Sequence, residues 1–102
     1  MELRYKTGKD GLTLYLSGEL DEYAAAFIRG KLDEIISENL SGKRVVFDLS
    51  GLRFMDSTGV GVLLGRYKKY AKFVPFFIQN PSPTVSKVLG IGGIYEMIPL
   101  CG

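Results

Sequence analysis

The sequence predicts an α/β domain: a mixed sheet that opens with an antiparallel hairpin, continues with parallel strands, and carries helices between them. Three observations lead there. Leu3 and Tyr5, then Leu12, Leu14 and Leu16, alternate with polar neighbours at a period of two, the mark of strands with one buried face. Two later stretches place apolar residues at helical spacing. Between them Val45, Val46 and Phe47 form a short continuous apolar run, which suits an interior strand covered on both sides.

Taken in order, Gly8-Lys9-Asp10-Gly11 separates the first two strands, and Asp-Gly is a hairpin signal. Asp21 can cap the helix that follows. Ala24, Ile28, Leu32, Ile35 and Ile36 then share one helical face, and Gly42 is the expected stop. After the Val45–Phe47 strand, Val60, Leu63, Leu64 and Tyr67 define a second helix, with Arg66, Lys68 and Lys69 toward its end, where the helix dipole favours cations. Phe73 to Ile78 reads as a fourth strand, and Pro75 argues that it starts late or has an edge there. Ser82-Pro83 is an N-cap with proline at the first helical position. Val85, Val88 and Leu89 form a short apolar face that Gly90 can end. A last strand is expected near Tyr95–Ile98. The order β-β-α-β-α-β-α-β over residues 1–102, with no repeat or linker, predicts a single domain.

Composition narrows the function. The net charge is +2 and interspersed, without the basic stripe that a nucleic-acid partner requires. No apolar run is long enough to span a bilayer, and MELRYKTG lacks the apolar centre of a signal peptide. The single cysteine, Cys101, cannot form an internal disulfide, which fits a reducing, cytoplasmic compartment. Histidine is absent, which removes Ser-His-Asp and Cys-His catalysis and any histidine metal site. No paired carboxylates sit on a recognisable catalytic scaffold. The expectation is a binding protein, with no catalytic residues, metal or cofactor.

The stretch most dense in signals is DLSGLRFMDSTGVGVLLGRYKK at 48–69. Its turn, Asp56-Ser57-Thr58-Gly59, lies between strand and helix, where glycines often cradle a phosphate. A dinucleotide loop fails on spacing, because three residues separate Gly61 from Gly65 where the fingerprint has two, and no Gly-Lys-Ser/Thr follows. A purely structural reading makes Ser57 or Asp56 the helix cap, with Gly61 and Gly65 letting the helix lie close to the sheet or a partner. A third reading makes the serine a modification site. Free N–H groups and the dipole tolerate a covalent phosphate at a helix start, while nearby Asp56 would sharpen the change of potential.

The same stretch resembles the signature of the STAS-domain anti-sigma factor antagonist family, in its sporulation branch. Ser17-Gly18-Glu19-Leu20-Asp21 is similar to the family's segment between second strand and first helix, and Ser82-Pro83-Thr84-Val85 to its third helix start. The likeness runs from about Leu3 to Pro99. It implies a STAS-like fold and a partner-switching mechanism. An anti-sigma factor that is also a serine kinase holds a sigma factor inactive; the unphosphorylated antagonist binds it and frees the sigma factor. Phosphorylation of the serine after the aspartate, here Ser57, ends binding, and a metal-dependent serine phosphatase restores it. The chain is expected to act as a monomer. Its partner surface is expected to combine Asp56, Ser57, Thr58, Gly59, Val60 and Gly61 with the acidic turn at Glu19 and Asp21. Alternatives are a STAS module of a general stress-response or other partner-switching cascade, and a nucleotide-binding protein. Three departures stand out. Thr58 replaces a common second serine, Lys72-Phe73-Val74-Pro75 replaces a glycine pair, and the sequence stops at Gly102, where members often continue into a helix that would cover part of the sheet.

Overall fold

The computed structural model describes residues 1–101. The elements are β1 (Glu2–Gly8), β2 (Gly11–Leu20), α1 (Glu22–Ser37), β3 (Val45–Met55), α2 (Ser57–Tyr70), β4 (Phe76–Gln79), α3 (Pro83–Ile91) and a 3-10 turn at Ile94–Glu96. The four strands lie in the order β1-β2-β3-β4. β1 and β2 are antiparallel, with Leu3 opposite Leu16; β2–β3 and β3–β4 are parallel. The predicted mixed sheet is therefore the observed one.

One sheet face carries the core. Leu12, Leu14 and Leu16 of β2, Phe47 and Leu49 of β3, and Phe76 and Ile78 of β4 meet the apolar stripes of the three helices, including Ile28, Leu32, Ile36, Val62, Leu63, Val85 and Leu89. The helical spacing read from the sequence is thus the spacing that buries these residues. An ion cluster holds the two longer helices side by side: Arg66, whose side chain is only 11% exposed, pairs with Asp33 at 2.9 Å, and Lys69 pairs with the same carboxylate at 3.3 Å.

Four element ends differ from expectation. α1 stops at Ser37 rather than near Gly42. Asn39 turns back to end it, its side-chain amide donating to the Ile35 carbonyl at 2.7 Å and its backbone N–H to Ile36 at 2.9 Å. β3 runs on to Met55, well past the apolar Val45–Phe47 run, because its second half pairs with the end of β2. α3 continues through Gly90 to Ile91, and Gly92 caps it. The strand expected at Tyr95–Ile98 is a helical turn instead. Ile94 and Ile98, both fully buried, are four apart, and Ile98 N–H donates to the Ile94 carbonyl at 2.8 Å. That spacing suits a turn of helix and not a strand. The chain rejoins the sheet only at Leu100, which bridges Ile78 in parallel.

β4 does start late, after Pro75, whose carbonyl accepts from Val45 N–H at 2.8 Å. The Lys72–Pro75 stretch closes without a glycine pair. Phe73 N–H donates to the Tyr70 carbonyl at 2.9 Å, and Val74 tucks into the core. The departure noted at Gly102 falls outside the described residues.

Candidate functional site

Parallel pairing of β2 with β3 creates the site. Their C-terminal ends stop level, with Glu19 opposite Phe54 and Leu20 opposite Met55. The turns that follow, at Asp21 and at Asp56, therefore emerge side by side, as the sequence led one to expect. Each turn starts a helix through an aspartate cap. Asp21 Oδ1 accepts from Ala24 N–H at 2.9 Å, and Asp56 Oδ1 accepts from Thr58 N–H at 3.0 Å and Gly59 N–H at 3.2 Å. Of the two caps open to the sequence, Asp56 is the one used, and Ser57 is left free. Ser57 is exposed at the first position of α2, and no side-chain hydrogen bond engages its hydroxyl among the described residues. Thr58 is half-buried.

Gly59 fixes how closely α2 approaches the sheet. A Cβ there would lie 2.8 Å from Met55 Cγ and 2.9 Å from the Leu20 carbonyl oxygen. The second neighbour is backbone and cannot swing aside. The expectation that Gly61 and Gly65 bring the helix close to the sheet is corrected here, since among the described residues a Cβ at either meets nothing within 4 Å; their expected approach to a partner concerns the outer face. Gly61 faces outward beside Ser57, one turn along. Gly59→Ala is expected to push the start of α2 off Leu20 and cost about 1–3 kcal/mol. The urea midpoint measures it, and an unchanged midpoint would show that the approach is not tight.

Beside Ser57 lies a small, largely apolar hollow of about 200 Å³ walled by Val60 of α2 and by Val88, Ile91 and Gly92 at the end of α3. Gly92 allows this contact, since a Cβ there would stand 2.9 Å from Val60 Cγ1. Ile91 is 80% exposed, which is unusual for isoleucine and marks a surface that favours an apolar contact. The sequence reading has Val88 only as part of the apolar face of α3, and Ile91 and Gly92 are absent from it. The available signal was Ile91 itself, an isoleucine standing off the Val85–Leu89 stripe of its helix.

Charge at the site is more balanced than the sequence suggests. Glu19 pairs with Arg53 at 2.9 Å, both side chains well exposed. Such a pair adds little stability, so its members are free to exchange partners. Asp21 is partly committed to its cap. The first-turn N–H groups that would cradle a free phosphate already hold the Asp56 carboxylate, which counts against the nucleotide reading. Among the described residues no helix is long and apolar enough to cross a membrane.

Comparison with known proteins agrees with this fold. A family model described as the STAS domain matches residues 3–101. An anti-sigma F factor antagonist of Paenibacillus polymyxa is 36% identical over 90 residues, spanning 87% of this chain and 76% of the relative. The solved structure of the anti-sigma factor antagonist SpoIIAA in its unphosphorylated form is similar with a TM-score of 0.78 and 29% identity, covering 99% of this chain and 89% of that one. The phosphorylated form of SpoIIAA from Bacillus is similar with a TM-score of 0.68 and 28% identity, covering 99% of this chain and 92% of that one.

Proposed function

The chain belongs to the STAS domain family, among its anti-sigma factor antagonists, and from that premise we propose that it switches partners through Ser57. Unphosphorylated, it binds an anti-sigma factor that is also a serine kinase and so releases the sigma factor. The kinase moves the γ-phosphoryl group of ATP to Ser57 Oγ: the new P–O bond replaces the bond to the β-phosphate, the hydroxyl proton leaves to a base on the kinase, and ADP departs. A metal-dependent serine phosphatase hydrolyses the ester and resets the switch. These steps belong to the cytoplasm, and residues 1–102 serve as one STAS domain.

The observation that carries this reading is the free, exposed hydroxyl of Ser57 at a capped helix start, on the rim of the Val60–Ile91 hollow. An apolar side chain of the kinase fits the hollow. Thr58 and Gly61 offer a low surface around the hydroxyl, Gly59 sets it from beneath by its packing on Leu20, and the exchangeable Glu19–Arg53 pair meets charged groups on the rim, tuning on-rate and specificity. Asp21 shapes this surface from its cap. Incubation with the cognate kinase and ATP, followed by phosphopeptide mapping, tests the assignment. One phosphate per chain on Ser57 is expected, with Ser57→Ala unmodified and still bound to the kinase. A phosphate on Thr58 would sink it.

A further inference from the structure

The sheet treats its two edges differently. β4 is closed by the chain's own C-terminal segment: Ile78 N–H donates to the Pro99 carbonyl at 2.9 Å, and Cys101 N–H donates to the Ile78 carbonyl at 2.8 Å. β1, at the other end of the strand order, pairs with β2 alone in the sheet. It contains neither proline nor bulge, two devices that commonly blunt an edge. Alternate backbone groups along it point away from β2, and among the described residues no strand receives them. Glu2, Arg4 and Lys6 share one face of this edge; Leu3, Tyr5 and Thr7 share the other. On the second face a groove of about 600 Å³ runs between β1 and α1, lined by Leu3, Tyr5, Phe27, Lys31, Glu34 and Ile35 among others. Tyr5 is 56% and Phe27 59% exposed.

We propose that this edge docks a second copy of the chain, β1 pairing antiparallel with β1 about a two-fold axis through Arg4 to join two four-stranded sheets. A two-fold axis perpendicular to the sheet keeps each residue on its own face, so the axis falls on a residue and not between two. An axis at Tyr5 sets Arg4 against Lys6 of the second copy, like against like. An axis at Leu3 pairs only the first part of the strand. The axis at Arg4 sets Glu2 against Lys6 of the second copy and Leu3 against Tyr5 of the second copy, each twice. Opposite charges and aromatic–aliphatic pairs directly across a ladder are stabilising. The one like pair, Arg4 against Arg4, is offset by each chain's own Glu2, 4.0 Å away. Edge charges that repel other strands thus complement a copy of themselves in this register. Both α1 helices stay on one face, so the two grooves with their Tyr5 and Phe27 rings adjoin across the axis. Antiparallel pairing sends the two Ser57 surfaces to opposite ends of the joined sheet, where both remain open. On this proposal the chain is a reversible dimer, in place of the monomer expected from sequence.

Sedimentation equilibrium tests this. The wild-type chain is expected to pass from monomer toward dimer between about 10 μM and about 1 mM. E2K and K6E each place like charges across the ladder and are expected to weaken association about tenfold or more. Both positions are exposed, and circular dichroism checks that the variants fold. The double variant E2K/K6E restores opposite charges and is expected to associate as the wild type does. An equimolar mixture of the two single variants is expected to do the same, as a heterodimer. A wild-type chain that stays monomeric over this range overturns the proposal. Association that neither single variant weakens, or that the double variant fails to restore, overturns it equally, by placing the contact elsewhere.

Discussion

Ser57→Asp is expected to fold as the wild type does and to lose about a hundredfold or more in affinity for the anti-sigma factor, with phospho-Ser57 losing more. A hundredfold is about 2.7 kcal/mol, which one uncompensated charge in an interface can supply. The geometry leaves little to compensate it. The Thr58 and Gly59 N–H groups, the natural counter-charge at a helix start, are held by Asp56. Val60, Val88 and Ile91 on the other side are apolar. Arg53, at the end of the same strand, is paired with Glu19. A phosphate of about −1.5 to −2 charges beside the Asp56 carboxylate therefore meets the partner unneutralised. In the free chain the same group faces water, and the helix dipole favours it, so α2 stays intact. The switch then acts by excluding the partner, without refolding. Isothermal titration with the cognate kinase measures the loss, and amide spectra of the variant and the phosphoprotein should match the wild type outside residues 54–64. Undiminished binding would remove Ser57 from the interface. Shifts spreading through β1, β2 or α1 would replace exclusion with a conformational switch.

Much of this surface was legible because it rests on local rules. A capping aspartate before a helix, an exposed serine after it, and a second acidic turn after the preceding strand are short-range signals, and parallel pairing of β2 with β3 brings them together. What escaped notice is long-range. Nothing in the order of residues says that Ile91 of α3 will stand beside Ser57, or that Arg53 will reach Glu19 across the sheet. The glycines show the same limit. Gly59, Gly61 and Gly65 look alike in a helix start, yet only the first lies against a neighbouring backbone. The tail misled for a related reason: Tyr95–Ile98 carries apolar residues suited to a strand, but burial of Ile94 and Ile98 together selects a helical turn. In the sequence Asp48 is simply the first residue of the 48–69 stretch, and its role appears only in three dimensions.

Asp48→Ala is expected to cost about 1–3 kcal/mol at neutral pH, because it removes the one acceptor that ties Ser50, Gln79 and Asn80 together and leaves water to take its place in part. Asp48 is 4% exposed in the middle of β3. Among the described residues no cation pairs with it, and hydrogen bonds hold its charge. Its Oδ1 accepts from the Ser50 N–H at 3.0 Å and the Ser50 hydroxyl at 2.7 Å, and its Oδ2 accepts from the side-chain amides of Gln79 at 2.7 Å and Asn80 at 3.3 Å. Burial pushes the carboxyl pKa up, but the bonds from Gln79, Ser50 and Asn80 outweigh it and hold it below the ordinary value of 3.8. A carboxyl depressed on folding binds protons more readily when unfolded. Its contribution is therefore complete above that ordinary value and fades as the pH falls through the folded one. Asp48→Asn keeps the shape but turns a donor toward donors and removes the titration. Urea unfolding of wild type and Asp48→Asn should show a gap that is widest at neutral pH and narrows below about pH 4; a gap independent of pH would mean that the charge contributes nothing. The consequence reaches the site, because Gln79 ends β4 and Asn80 follows it toward α3, held at a left-handed φ of 54°. Loosening that joint moves the α3 wall of the hollow beside Ser57. Asp48→Ala should accordingly weaken partner binding through Val88 and Ile91 while leaving Ser57 itself available to the kinase.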